Sequence, residues 1–183
     1  MSVVVAVKTE KGYMLGADSQ MTAGDQKNTY AHKIFKPCED VVIGSVGMLT
    51  YAQALGFMDE VIPKTNLITG EVNTKLIYAN VYPRIIDFLR MTNRLGENET
   101  PDFVSIIAYK DKAWELHGDG SVLEIGDVYA IGSGAQVALG SLESTMGQTA
   151  RDRITTAIKK TCKNTIYVDS DIHILTTYKE EEI

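Results

Sequence analysis

The chain has 183 residues, 44% hydrophobic and 23% charged, with two cysteines. This composition suits a folded protein large enough to bury a core, and it excludes a disordered tail, a collagen-like fibre and a disulfide-stapled mini-protein. The net charge of −6, from 18 Lys and Arg against 24 Asp and Glu, argues against a nucleic-acid partner, because phosphate binding needs a basic face.

The opening residues, Met1 to Lys8, lack a basic leader, and their apolar run is too short for a signal peptide. No later stretch has the length of a membrane span, so no membrane partner and a cytoplasmic location are expected. Cys38 and Cys162 lie far apart without CxxC spacing and are expected to be free thiols of a reducing compartment.

In chain order, residues 3–7 are a β-branched run that predicts a buried strand. A turn at Lys11 and Gly12 leads to a second strand over 13–17, and a loop is expected through 18–25. Strands over 29–35 and 41–45 follow, separated by turn residues 36–40. The period then changes: Met48, Tyr51, Leu55, Met58 and Val61 recur at helical spacing until Pro63. Leu76 to Leu89 is a second amphipathic helix, with a kink or break expected at Pro83, and 93–101 is a polar loop. Strands return at 103–109, 113–117, 122–125 and 129–131. Helices over 135–143 and 150–161 follow, then strands at 165–168 and 172–177 and a frayed charged end over 179–182. Runs of strands and runs of helices segregated in this way predict an α+β fold, and no linker or repeat divides residues 1–183 into more than one domain.

Some polar residues stand where chemistry is feasible. Ser2 becomes the first residue if Met1 is removed, and a terminal serine carries a hydroxyl and an α-amine together. With an ordinary pKa of roughly 8, that amine can take the hydroxyl proton without a histidine. Asp18 ends the second strand. Lys33, if it points inward, needs an acid beside it, and Asp18 supplies one. A cation near a terminal amine also lowers the amine's pKa and keeps more of it basic. Gly44-Ser45-Val46-Gly47 and Gly132-Ser133-Gly134 each run from a strand into a helix, where glycine lets backbone N–H groups face a carbonyl or a developing oxyanion. Each of these features has a common structural use when taken singly. His32, His117 and His173 lack the spacing of a metal site, Asp169 and Asp171 read as acids of a turn, and no cofactor is implied.

The ordered set carries a resemblance. Val4 to Lys8, Gly12 to Ser19, Met21 to Gly24, Lys33-Ile34-Phe35, Ile43 to Gly47, Ile131 to Gly134 and Ala138 to Glu143 together resemble proteasome β-type subunits and the related HslV-type peptidases. The resemblance spans nearly the whole chain. It implies a four-layer αββα sandwich of the N-terminal-nucleophile hydrolase type. Position by position it implies Ser2 as nucleophile, Asp18 and Lys33 as the charged pair, Gly44 as the oxyanion amide and Ser133 as the residue orienting the amine. Met21, Ala31, Phe35, Val42, Val46 and Thr50 would line a mostly apolar specificity pocket favouring an uncharged side chain before the cut. It further implies a homo-oligomeric ring, an ATPase unfoldase ring as partner, and unfolded protein or peptide as substrate. Two departures stand out: the family's usual threonine is Ser2 here, and the acid after its last long helix is replaced by Lys163 or Asn164. Unmasking of Ser2 is expected to need only the removal of Met1. A small-amide hydrolase of the same type and a silent structural subunit are the alternative readings.

Overall fold

The computed structural model describes residues 2–23 and 26–179. Two antiparallel sheets lie at its centre. The first has the order β10-β1-β2-β11, built from β1 (Val4–Thr9), β2 (Gly12–Asp18), β10 (Val128–Ile131) and β11 (Ile172–Thr176). The second runs β5-β6-β7-β8-β9, from β5 (Ile34–Cys38), β6 (Val41–Gly47), β7 (Phe103–Tyr109), β8 (Lys112–His117) and β9 (Val122–Glu124). A separate small hairpin pairs β3 (Met21–Ala23) with β4 (Gln26–Asn28).

Strand alternation sorts the apolar residues into three cores. Val4 and Ala6 of β1, with Leu15 of β2, face the second sheet and meet Ile34, Val42 and Ile106 there. Val3, Val5 and Val7 face the other way, onto α5 (Ala135–Ser144) and α6 (Ala150–Asn164). The outer face of the second sheet, with Ile43, Ile107 and Trp114, is covered by α1 (Leu49–Phe57) and α4 (Tyr82–Met91). Because each sheet is apolar on both faces, the layers stack helix, sheet, sheet, helix, which is the expected αββα sandwich. α6 lies close against β2 because Gly16 has no side chain; a Cβ there would collide with Ile154. Thr149 caps the helix, its hydroxyl accepting from the Asp152 N–H at 3.1 Å.

Several expected elements change in detail. The loop over 18–25 contains the first strand of the small hairpin; Gly24 and Asp25 lie outside the described residues. The strand expected over 29–35 starts only at Ile34. It runs on through Pro37, which is tolerated because β5 is an edge strand with a register shift between Phe35 and Cys38. Pro63 ends nothing: it stands at the N-cap of α2 (Lys64–Thr69), where a residue without an N–H loses no bond. No break falls at Pro83, which stands in the first turn of α4; the irregularity lies just before it, where α3 (Thr74–Leu76) passes through a π-helical turn, Ile77–Val81, into α4. The strand expected over 165–168 is absent, and the chain there forms a loop that carries Asp169 inward. Of the charged end, Lys179 pairs with Glu39 at 2.8 Å, and residues 180–182 lie outside the described residues. Among the described residues no helix is long and apolar enough to cross a membrane.

Candidate active site

Ser2 precedes β1 and is 7% exposed. Its nitrogen, an amide while Met1 is attached, donates to Ser133 Oγ at 3.1 Å, and its carbonyl accepts from the Gly134 N–H at 3.3 Å. Gly132 makes this approach feasible. Its φ of +98° lies in the left-handed region, and a Cβ there would collide with the Ser2 carbonyl oxygen. Gly132→Ala is therefore expected to cost about 1–3 kcal/mol of stability and to displace Ser2. Chemical denaturation together with labelling of Ser2 checks both effects, and a native midpoint with native labelling would contradict them.

Behind Ser2 is a buried ion pair. Lys33 Nζ lies 2.7 Å from Asp18 Oδ1, with the Asp18 side chain wholly buried and that of Lys33 5% exposed. Asp18 Oδ1 also accepts from the Val3 N–H at 2.9 Å. Its Oδ2 accepts from the N–H groups of Gln20 at 3.1 Å and Asp169 at 3.4 Å. The carboxylate thus ties the start of β1, the end of β2 and the loop after α6 to one point. Burial pushes the Lys33 ammonium below its ordinary range, and the Asp18 charge and hydrogen bond, with the Asp169 charge, act in the opposite direction.

A groove of about 410 Å³ opens beside this pair. Ser2 and Lys33 line it, as do four of the six expected specificity residues: Met21, Ala31, Val46 and Thr50. Phe35 borders an adjoining hollow of about 480 Å³, which shares Met21, Ala31 and Leu49 with the groove. Val42 is not a lining residue; it is 0% exposed in the core between the two sheets, because its place in the β6 alternation turns it inward.

Backbone alternation also decides which β6 amides are open. Ser45 N–H donates to the Lys33 carbonyl at 2.8 Å, and Met48 N–H donates to the Asp102 carbonyl at 3.0 Å. Even-numbered amides of β6 therefore turn toward β7, so Gly44, opposite Ile106, spends its N–H in the sheet. Its Cα packs on Val4, where a Cβ would come within 2.5 Å of the Val4 side chain. Odd-numbered amides face the β5 side, and β5 begins only at Ile34, so the Gly47 N–H points into the groove, where Gly47 is a lining residue with φ +107°.

Sequence reasoning assigned no role to Ser19, Gln20 or Ser45 beside this site. Ser45 lines the groove with its hydroxyl bonded to Ser105 at 2.8 Å, and Gln20 lines it as well. Asp169, read from the sequence as a turn acid, is 6% exposed and lies behind Asp18. The signal was the pair of acids in 169–171, which a bland turn also explains. Among the described residues no cluster of three His, Cys, Asp or Glu side chains could hold a metal ion.

Two sheets face to face between helical layers, with a hydroxyl residue at the head of β1 beside a buried Lys–Asp pair, are the frame of an N-terminal-nucleophile sandwich. The family model described as Proteasome subunit matches residues 2–176, and the chain belongs to that family. Its structure is similar to eukaryotic HslV from Trypanosoma brucei, with a TM-score of 0.69 and 20% identity over 94% of this chain and 97% of that one. It is also similar to Thiobacillus denitrificans BPH, alone and in complex with epoxomicin. Those matches have TM-scores of 0.74 and 0.75 and 16% identity, and they cover 97% of this chain and 100% of theirs. At such identities the likeness is one of fold. No curated protein matches the chain.

Proposed function

We propose that the protein is a peptidase that hydrolyses peptide bonds through Ser2 once Met1 is removed. The observation that carries this reading is the buried Lys33–Asp18 pair, held at 2.7 Å, whose carboxylate accepts from the N–H of Val3, the residue after Ser2, and whose lysine lines the same groove as Ser2. A buried ammonium and carboxylate are costly to desolvate and add little stability to a fold that could pack apolar residues there, so a chemical role accounts for them best.

In this mechanism the Ser2 hydroxyl attacks the scissile carbonyl while its proton passes, through a water, to the α-amine freed by loss of Met1. The oxyanion forms within reach of the Gly47 N–H, which takes the role expected of Gly44 because the Gly44 amide faces β7. Collapse breaks the C–N bond, and the α-ammonium returns the proton to the departing amine. Water then attacks the Ser2 ester with the α-amine as base, releasing the acid and restoring the hydroxyl. Ser133, bonded to the Ser2 nitrogen, orients the amine. Met21, Ala31, Val46 and Thr50, with Phe35 in the adjoining hollow, favour an uncharged side chain before the cut.

The family further supports one domain over residues 1–183, a homo-oligomeric ring enclosing the grooves, unfolded chains as substrate delivered by an ATPase ring, and a cytoplasmic setting. Intact mass and epoxomicin labelling test the reading together. An epoxyketone offers a carbonyl to the hydroxyl and an epoxide to the amine. The expected result is a chain lacking Met1 that gains one inhibitor mass on Ser2. A chain that keeps Met1 and stays unlabelled would overturn it. Light scattering that returned a stable monomer would overturn the ring.

A further inference from the structure

A side hollow of about 130 Å³ adjoins the groove that Ser2 lines; the two share Thr50, and Arg94 lines the hollow. The main chain holds Arg94 in place from both sides. Asn93, just beyond α4, has a left-handed φ of +54°, and the Asn93 and Arg94 N–H groups donate to the Arg90 and Leu89 carbonyls at 3.0 and 2.8 Å. Leu95, the next residue, is buried in the core beneath α1 and α4. From this fixed point the Arg94 side chain reaches α1, where its Nη1 donates to Thr50 Oγ1 at 2.9 Å.

This guanidinium is exposed, and among the described residues no carboxylate pairs with it. Arg84, by contrast, pairs with Glu60 at 3.8 Å, and Glu99 is engaged with the Gly96 N–H at 3.0 Å. Support of α1 does not account for the contact either. Thr50 stands in the first turn of that helix, which contains no acid, and a cation is disfavoured at that end.

The hydrogen bond has a direction that matters. A hydroxyl has one proton to give and lone pairs to receive. Because Thr50 Oγ1 accepts from Arg94, its proton is left for an acceptor in the groove. The guanidinium keeps further N–H groups in its planar fork. A hydroxyl donor beside a full positive charge matches a carboxylate. Lys33, the other cation at the groove among the described residues, is already held by Asp18.

We propose that Arg94, together with Thr50, is a specificity-determining residue that selects peptides carrying an Asp or Glu side chain at a position other than the one before the cut. The uncharged residue before the cut keeps the walls of Met21, Ala31 and Val46, and the acidic side chain passes Thr50 to the guanidinium. The inference deepens the peptidase reading above and rests on it.

The test uses the full chain with Ser2 as first residue, released by cleavage of a fusion. Internally quenched peptides, blocked at both ends and with leucine before the cut, carry Glu, Gln or Lys at each other position in turn. At one of these positions kcat/KM for the Glu peptide is expected to exceed that of its Gln twin about fivefold at low salt, and the ratio should fall as salt is added. Arg94→Ala is expected to bring the ratio to about one, and Arg94→Glu to favour the Lys peptide instead. Loss of a merely structural contact would not produce that inversion. A native ratio of about one at every position, or a native ratio that survives Arg94→Ala, would overturn the proposal. A Gln peptide with a free C-terminus supplies a carboxylate from the other source, and a preference found only there would overturn the side-chain assignment.

Binding of the same peptides to Ser2→Ala, read by fluorescence anisotropy, repeats the comparison without turnover. The Glu peptide is expected to bind about fivefold more tightly than the Gln peptide, and equally well once Arg94→Ala is added. Equal binding to Ser2→Ala itself would overturn the proposal. A native chain that hydrolyses no peptide, while Ser2→Ala shows the Arg94-dependent difference, would defeat the peptidase reading and leave the selection of acidic peptides standing.

Discussion

Ser2→Ala is expected to reduce kcat/KM for peptide hydrolysis by on the order of 10⁴-fold or more while leaving the fold intact. The size follows from the chemistry: the other hydroxyls lining the groove, those of Ser45, Thr22 and Thr50, accept from Ser105, Gln20 and Arg94, and none of them carries an α-amine that could take its proton. The fold survives because what ties residue 2 down is main chain, its nitrogen to Ser133 and its carbonyl to Gly134. The change in stability should stay within about 0.5 kcal/mol. Kinetics on a fluorogenic peptide, with an unfolding curve for the same preparation, read both. Turnover at a tenth of the native rate would remove Ser2 from the mechanism.

Lys33→Ala is expected to remove activity and to destabilise the protein by about 3–5 kcal/mol, because it leaves the Asp18 carboxylate buried without its cation. Asp18 receives N–H groups from Val3, Gln20 and Asp169, so the strain is transmitted to three segments at once. The double variant Lys33→Ala, Asp18→Asn removes both charges and keeps one oxygen, enough for the Gln20 and Asp169 donors that share Oδ2. It should recover at least half of the lost stability and none of the activity. Denaturant midpoints of the single and double variants decide this. A single variant as stable as the native protein would show that the pair does not sustain the fold locally.

The two predictions separate the roles of the site. On the proposed mechanism Ser2 would be chemically indispensable yet structurally replaceable, because its anchoring is made by backbone atoms. Lys33 and Asp18 would serve both purposes, because the buried ion pair that the mechanism uses also holds together the segments around it. Gly132 belongs with them: its left-handed φ and its missing Cβ let the turn before α5 close on the Ser2 carbonyl.

Much of this was legible in the sequence. The β-branched run of β1, the 3.6-residue period of α1, α4 and α6, and the strand–helix segregation state the layers directly, because side-chain periodicity is a local consequence of backbone geometry. Ser2, Asp18 and Lys33 were also legible as residue types, since a hydroxyl beside an amine and a lysine needing an acid are chemical statements that require no coordinates. What the sequence could not determine depends on direction and on distant neighbours. Gly44 and Gly47 sit in one short motif, and only pairing with Lys33 and Asp102 tells which amide is free. Val42 and Val46 have the same parity on β6, yet the first is sealed between the sheets and the second reaches the groove, because β5 covers one and stops short of the other. Asp169 is 151 residues from Asp18, and its approach depends on where α6 ends against β2. Local propensity and residue chemistry act over a few residues and are written in order along the chain, whereas the open amide, the sealed valine and the second buried acid arise from long-range packing that only the tertiary structure decides.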